Sequence, residues 1–247
     1  MSIVLSEDRG SVRHVVLNRP EKRNALNGEL IGALHVAVVG RGAGPMFSSG
    51  LDFAALGALA ADPDGLTTLR RPILEAWNLL ETMPKPTIAQ IHGACLGGAL
   101  ELALACDLRV VAADAVMGLP ETRIGLIPDV GGCTRLPGIV GLGRAKEMVM
   151  TAKLVDGTEA ERIGLASRVA AAGELEAATE ALVGELLVCG PVAVAHAKRV
   201  LDATAKPTLA ASLELEGTAQ AVCAATDDFA EGARAFAEKR QPAFSGR

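Results

Sequence analysis

The sequence predicts a layered α/β domain followed by a run of helices. Three observations carry this. Up to about Gly190, short β-rich runs alternate with glycine-rich loops and helically spaced stretches. Beyond it, stretches rich in Ala, Leu and Glu follow one another with no strand signal. Half of the 247 residues are hydrophobic, which allows a substantial core and argues against disorder. A core domain at 1–189 and a helical module at 190–247 are therefore expected.

The elements follow in order. "SIVLSED" and "VRHVVLN" read as a hairpin around Arg9-Gly10-Ser11. "RPEKRNALNGEL" is a polar loop running into a short helix, and "HVAVVG", from His35, a buried strand. "RGAGPMFSSGLDF" is a glycine-rich loop. Thr67 to Thr82 has helical spacing despite Pro72, and Pro84 and Pro86 end that helix. "TIAQIHG" is a short strand, Gly97 to Cys106 a short helix, and "LRVVAAD" another strand.

Composition removes several function classes. With five Phe, one Trp and no Tyr, the core is built from Ala, Val, Leu and Ile. A net charge of −5 with so few aromatics argues against nucleic-acid binding. The five cysteines, Cys95, Cys106, Cys133, Cys189 and Cys223, include no CxxC pair; they read as buried thiols in a reducing cytoplasm, with no metal site. "MSIVLSEDRG" lacks the basic and apolar regions of a signal peptide, and no apolar run is long enough for a membrane span. His14, His35, His92 and His196 are scattered and read as structural. No GxSxG, HExxH or P-loop is present, and "GRGAGP" lacks dinucleotide-fingerprint spacing.

Two glycine-rich segments can do chemistry. In "SSGLD", Gly50 can adopt backbone conformations that leave the Leu51 N–H pointing at a ligand. In "LGGALE", the Gly98 N–H lies near a helix N-terminus, where such groups are unpaired and favour negative charge. Converging, the two would make an oxyanion hole; the same glycines also serve turns and close packing. Glu101 is the one carboxylate inside an apolar run, and an unpaired charge there costs several kcal/mol. It reads either as a complement to the helix dipole or as a functional group. Glu121 reads likewise, in the first turn of a helix with Pro120 at its first position. Asp129, in "LIPDVGG", is a third candidate or a turn residue.

"LNRPEKRNALN", "GPMFSSGLDF", "KPTIAQIHGACLGGALELALACD", "PETRIGLIPDVGGCTRL", "AKEMVMTAK" and "EGARAFAEKRQPAF", in this order across nearly the whole chain, resemble the enoyl-CoA hydratase/isomerase (crotonase) family. The resemblance implies a crotonase-like α/β spiral of ββα units with a C-terminal helical trimerisation module. It implies acyl-CoA thioester substrates, with coenzyme A as part of the substrate and no prosthetic group. It implies a homotrimer or dimer of trimers, and suits fatty-acid β-oxidation chemistry. Leu51 and Gly98 fall on the family's oxyanion-hole N–H positions, and Glu101 and Glu121 on the two hydratase glutamates. Lys22, with the backbone of Ala25 and Leu26, falls at the adenine and 3′-phosphate segment, and Asp52 is grouped with that coenzyme site. Lys239 falls where a neighbouring subunit reaches the coenzyme, and Phe236 faces the acyl tail.

Hydration of a 2-enoyl-CoA is thus the expected reaction. Asp129 stands where some isomerases of the family hold their acid–base, so double-bond isomerisation is the alternative. A non-catalytic acyl-CoA-binding trimer is the reading from another class; binding alone does not require the glutamates. One departure from the family pattern is visible. Only seven residues separate Asn27 from His35, where the family usually carries a helix and turn longer by roughly twenty residues.

Overall fold

The computed structural model describes residues 2–27, 39–52, 63–171, 173–206 and 208–245. His35, most of "HVAVVG" and the short Asn27–His35 segment lie outside the described residues.

Through its middle the chain alternates between a large sheet and a small one, with a helix or tight turn after each small-sheet strand. The hairpin forms as expected, β1 (Val4–Arg9) against β2 (Val12–Leu17), antiparallel. β1 is the outer strand, and its exposed Glu7, Asp8 and Arg9 guard an open edge. A 3-10 turn (Pro20–Lys22) and β3 (Val39–Gly42) follow, so the "RGAGP" loop begins inside a strand. Next come helix α1 (Pro63–Thr82), β4 (Ile88–Ile91), β5 (Ala94–Leu96) and α2 (Gly98–Ala105). β6 (Leu108–Ala112) and β7 (Val116–Gly118) lead to a 3-10 turn at Glu121–Ile124. That turn has Pro120 as its N-cap, a correction to the helix with Pro120 at its first position.

The large sheet has the order β1-β2-β3-β4-β6-β9, parallel from β2 onward, with β9 at Arg168–Ala170. β4 is buried at all four positions, the mark of a parallel strand covered on both faces. The small sheet has the order β5-β7-β8, with β8 at Val155–Asp156, and bridges Ser48–Cys95 and Leu26–Leu51 extend its line. The glycine-rich "SSGLD" loop is therefore stitched into the same layer as β5.

Helix α1 runs through Pro72 and starts four residues before Thr67, the expected first position. Its Ile73, Ala76, Trp77 and Leu80 form a buried stripe at helical spacing. Helices α3 (Gly132–Val140), α4 (Leu142–Met150) and α5 (Gly157–Arg162) follow, then α6 (Leu175–Leu187) against β6 and β9. The C-terminal run is helical, with α7 (Pro191–Ala205), α8 (Leu209–Ala224) and α9 (Asp227–Ala237). α8 packs on α1 and α3, and α9 on the Glu121–Ile124 turn. Among the described residues no single helix is long and apolar enough to cross a membrane. All five cysteines are free thiols, but only Cys95 and Cys106 are buried; Cys133 and Cys223 are half-buried and Cys189 is exposed. The expectation of five buried thiols is corrected there.

α2 is buried at all eight positions. Its C-terminal end is held by a buried cation, Arg109, which donates to the carbonyls of Ala103 at 3.1 Å, Cys106 at 2.9 Å and Leu165 at 2.6 Å. A cation at a helix C-terminus also meets the negative end of the dipole. We expect Arg109→Met to lower the unfolding free energy by about 3 kcal/mol, because the carbonyls lose a charged donor and stay buried. Urea unfolding followed by circular dichroism checks this; a loss below about 1 kcal/mol would mean the site is not dry.

Candidate active site

The two glycine loops meet. Gly50 has φ +91°, and a Cβ there would meet the Leu96 carbonyl oxygen at 2.5 Å and the Gly98 nitrogen at 3.6 Å. Only glycine lets the loop pass this close. A Cβ placed on Gly98 would lie 3.9 Å from the Leu51 nitrogen. Neither the Leu51 N–H nor the Gly98 N–H has an acceptor among the described residues. Gly98 is the first residue of α2, where N–H groups have no intrahelical partner and the dipole favours an anion. Two unengaged donors thus converge at one end of a buried helix.

They open into a cavity of about 370 Å³. Leu51, Gly98, Glu101, Glu121, Asp129 and Phe236 all line it. Its remaining wall is largely apolar, including Leu69, Ile73, Leu96, Leu126, Ile127 and Leu154. Six of the sequence-derived candidates are therefore brought together from five separate segments.

Glu101, in the first turn of α2, is only 2 % exposed. Its Oε1 accepts the N–H groups of Val130 and Gly132, each at 2.9 Å. Burial, then the nearby Glu121, Asp129 and Glu216, push its carboxyl well above the usual range, against those two donors. Glu121 projects from the 3-10 turn beside Gly97, where a Cβ would meet its Oε1 at 2.8 Å. Its Oε2 is buried without a hydrogen-bond partner among the described residues. Burial raises this carboxyl to about 8. Asp129 does sit in a turn, but with its side chain turned inward: its Oδ2 is paired with Arg70 Nε at 3.3 Å, and its Oδ1 accepts from Gln220 Nε2 at 3.3 Å. Burial lifts it to about 7 despite Arg70.

The sequence reading did not find Arg70, Glu216 and Gln220. A signal was present for each. Arg70 lies seven residues before Trp77 on the buried stripe of α1, and Glu216 and Gln220 share a buried stripe with Leu213 and Ala224 on α8. Polar residues on an otherwise buried helical face mark a polar interior. Among the described residues, no group of three or more His, Cys, Asp or Glu side chains is placed to hold a metal ion.

Of the coenzyme-site candidates, Leu26 and Asp52 adjoin the Gly50–Leu51 loop that lines the cavity. Lys22 is exposed at the end of its 3-10 turn. The Ala25 carbonyl accepts from Arg19 at 2.5 Å, and the Leu26 N–H donates to Gly50 at 2.8 Å while its carbonyl accepts from Asp52. These backbones are already engaged, so a base lying beside them meets only the second lone pairs of the carbonyls. The Asp52 carboxylate pairs with Arg19 at 3.2 Å. Lys239 lines a separate open groove of about 850 Å³ with Arg123, Arg240 and Phe244; Phe236 borders both spaces.

Two unengaged N–H donors beside raised-pKa carboxyls suit stabilising an oxyanion while moving protons at adjacent carbons. The enoyl-CoA hydratase/isomerase family model matches residues 7–247. The chain is 38 % identical over 274 residues to mouse mitochondrial methylglutaconyl-CoA hydratase, covering 99 % of this chain and 86 % of the relative. It is 32 % identical over 255 residues to crotonyl-CoA hydratase from Syntrophomonas wolfei, covering 98 % and 97 %. Its fold superposes on an enoyl-CoA hydratase from Mycobacterium avium subsp. paratuberculosis with a TM-score of 0.88 at 28 % identity, covering 99 % of both chains. The chain therefore belongs to the enoyl-CoA hydratase/isomerase family and has its crotonase fold.

Proposed function

We propose that the protein is an enoyl-CoA hydratase. It adds water across the 2,3 double bond of a 2-enoyl-CoA to give a 3-hydroxyacyl-CoA. The carrying observation is the unequal solvation of two buried carboxylates in one cavity. Glu101 accepts two backbone N–H groups, which favour its anion, while Glu121 has a buried oxygen with no donor among the described residues, which favours its acid. A pair that shares one proton in this way holds a base and an acid together.

The steps follow from this. The thioester carbonyl oxygen sits at the Leu51 and Gly98 N–H groups. Glu101 orients a water and helps take its proton as the oxygen bonds to C3. The C2–C3 π electrons move toward the thioester oxygen, and the enolate charge is held by the two N–H donors. Glu121 gives its proton to C2, and the carbonyl re-forms. The pair ends with one proton, as it began. Lys22, with Ala25, Leu26 and Asp52 near it, and Lys239 are proposed to hold the coenzyme. The apolar wall with Phe236 takes the acyl group. The relatives named as crotonyl-CoA and methylglutaconyl-CoA hydratases support this reading.

A second reading, double-bond isomerisation, is favoured by Asp129, whose half-buried carboxyl is raised to about 7 by desolvation and lines the same cavity. That reaction needs one base to move a proton between carbons and no activated water.

Crotonyl-CoA should lose its conjugated-enoyl ultraviolet absorbance when protein is added, with 3-hydroxybutyryl-CoA as product. Glu101→Gln and Glu121→Gln should each lower kcat by about 10²-fold or more. Retention of hydration in both variants would sink the assignment. The pH profile follows from the direction of the shifts. Glu121 must be protonated to donate, so kcat/KM should fall as pH rises through about 8. A rate flat from pH 7 to about 10 would exclude a carboxylic acid as the proton donor.

A further inference from the structure

Glu216 is a buried carboxylate that the hydration scheme leaves unused. It comes from α8, more than eighty residues along the chain from the loop it touches: its Oε2 accepts the Gly131 N–H at 2.8 Å. The two flanking N–H groups, of Val130 and Gly132, both go to Glu101 Oε1. Three successive backbone donors therefore alternate between two carboxylates. Peptide planes are rigid, so fixing the middle N–H restricts its neighbours. Gln220, one turn further along α8, accepts the Ile127 N–H at 3.0 Å and donates to Asp129. Arg70 donates to the carbonyls of Asp129 and Leu213, tying α1 to the loop and to α8. Glu101, Asp129 and Gln220 line the cavity, while Glu216 stands behind them.

We propose that Glu216 is a positioning residue: by holding the Gly131 peptide, it aims the Val130 and Gly132 N–H groups at Glu101 and keeps that carboxylate in its working orientation. The hydration reading supplies the task for which Glu101 is held. The charged and titratable groups around Glu216 are Glu101 of α2, Asp129 of the loop, Arg135 and Cys133 of α3 and Arg70 of α1; Glu121 faces Glu101 from the 3-10 turn. Arg135 also donates to the Val130 carbonyl at 3.1 Å while paired with Glu81, so it braces the same loop.

Two variants separate holding from charge. Glu216→Gln keeps an acceptor for the Gly131 N–H and removes a negative charge; Glu216→Leu removes both. The first readout needs no turnover. Titration of the Glu101 carboxyl is followed by carbon-13 NMR in the unliganded protein, its signal assigned by its loss in Glu101→Gln. Both variants lack the negative charge, but only Glu216→Leu frees the Gly131 N–H and loosens the two donors on Glu101, so the Glu101 midpoint should lie at higher pH in Glu216→Leu than in Glu216→Gln. The second readout is crotonyl-CoA turnover. Glu216→Leu should lose about tenfold or more in kcat with KM changed by less than about threefold, and Glu216→Gln should recover most of that loss. Equal Glu101 midpoints in Glu216→Leu and Glu216→Gln overturn the inference, whether or not the wild type hydrates crotonyl-CoA. So does a Glu216→Leu kcat within about threefold of the wild type. A wild type that fails on crotonyl-CoA while the two midpoints differ as expected rejects the hydration reading and supports the clamp. If Glu216→Leu does not fold, Glu216→Ala, which also lacks the acceptor, takes its place in both measurements.

Discussion

All eight residues of α2 are buried, so no face of that helix is left to water. Its two ends and its one charged side chain must then be satisfied by the protein itself. At the C-terminal end, Arg109 gathers three carbonyls. In the first turn, Glu101 is met by the N–H groups of Val130 and Gly132. At the N-terminal end, the Gly98 N–H remains unengaged among the described residues and faces the cavity. A buried donor without an acceptor is costly unless a ligand supplies one. The position of the site thus follows from the burial of one short helix.

The electrostatics of the cavity come from the same cause. Glu101, Glu121, Asp129 and Glu216 are gathered where water is scarce, and each has its carboxyl raised chiefly by burial. Arg70 is paired with Asp129, and Arg135 is shared between Glu81 and the loop. Few cations therefore oppose four carboxyls, and the whole cluster is biased toward its protonated forms. Glu101 and Glu121 differ in their donors: two loop N–H groups reach Glu101 Oε1, while Glu121 Oε2 has none among the described residues.

The C-terminal helices belong to this design as much as the spiral does. α8 contributes Gln220 to the cavity and Glu216 behind it, and α9 contributes Phe236. α9 also packs closely on the turn that carries Glu121. A Cβ at Gly232 would lie 2.7 Å from Ile124 backbone atoms, and one at Gly125 3.0 Å from the Phe229 nitrogen. Glu121 is therefore held in place by a helix more than a hundred residues away in the chain.

The sequence by itself determined the alternation of strands and helices, the hairpin, α2 and the helical C-terminal run. Each has a local cause: period-two runs, glycine and proline breaks, or apolar spacing. It also determined which residues to watch, because Glu101 is an anomaly in an apolar run and because the order of six motifs resembles one family. Tertiary structure alone decided that Asp129 is half-buried and paired, that the Leu51 and Gly98 donors converge, and that Arg70, Glu216 and Gln220 join the cluster. The two-sheet division was also illegible, since β5, β7 and β8 have three residues or fewer and carry almost no periodicity. The physical reason is range. Propensity and amphipathic spacing act within a few residues, whereas these contacts join residues tens to more than a hundred positions apart. Only the closed fold sets the burial that turns ordinary carboxylates into proton-holding ones.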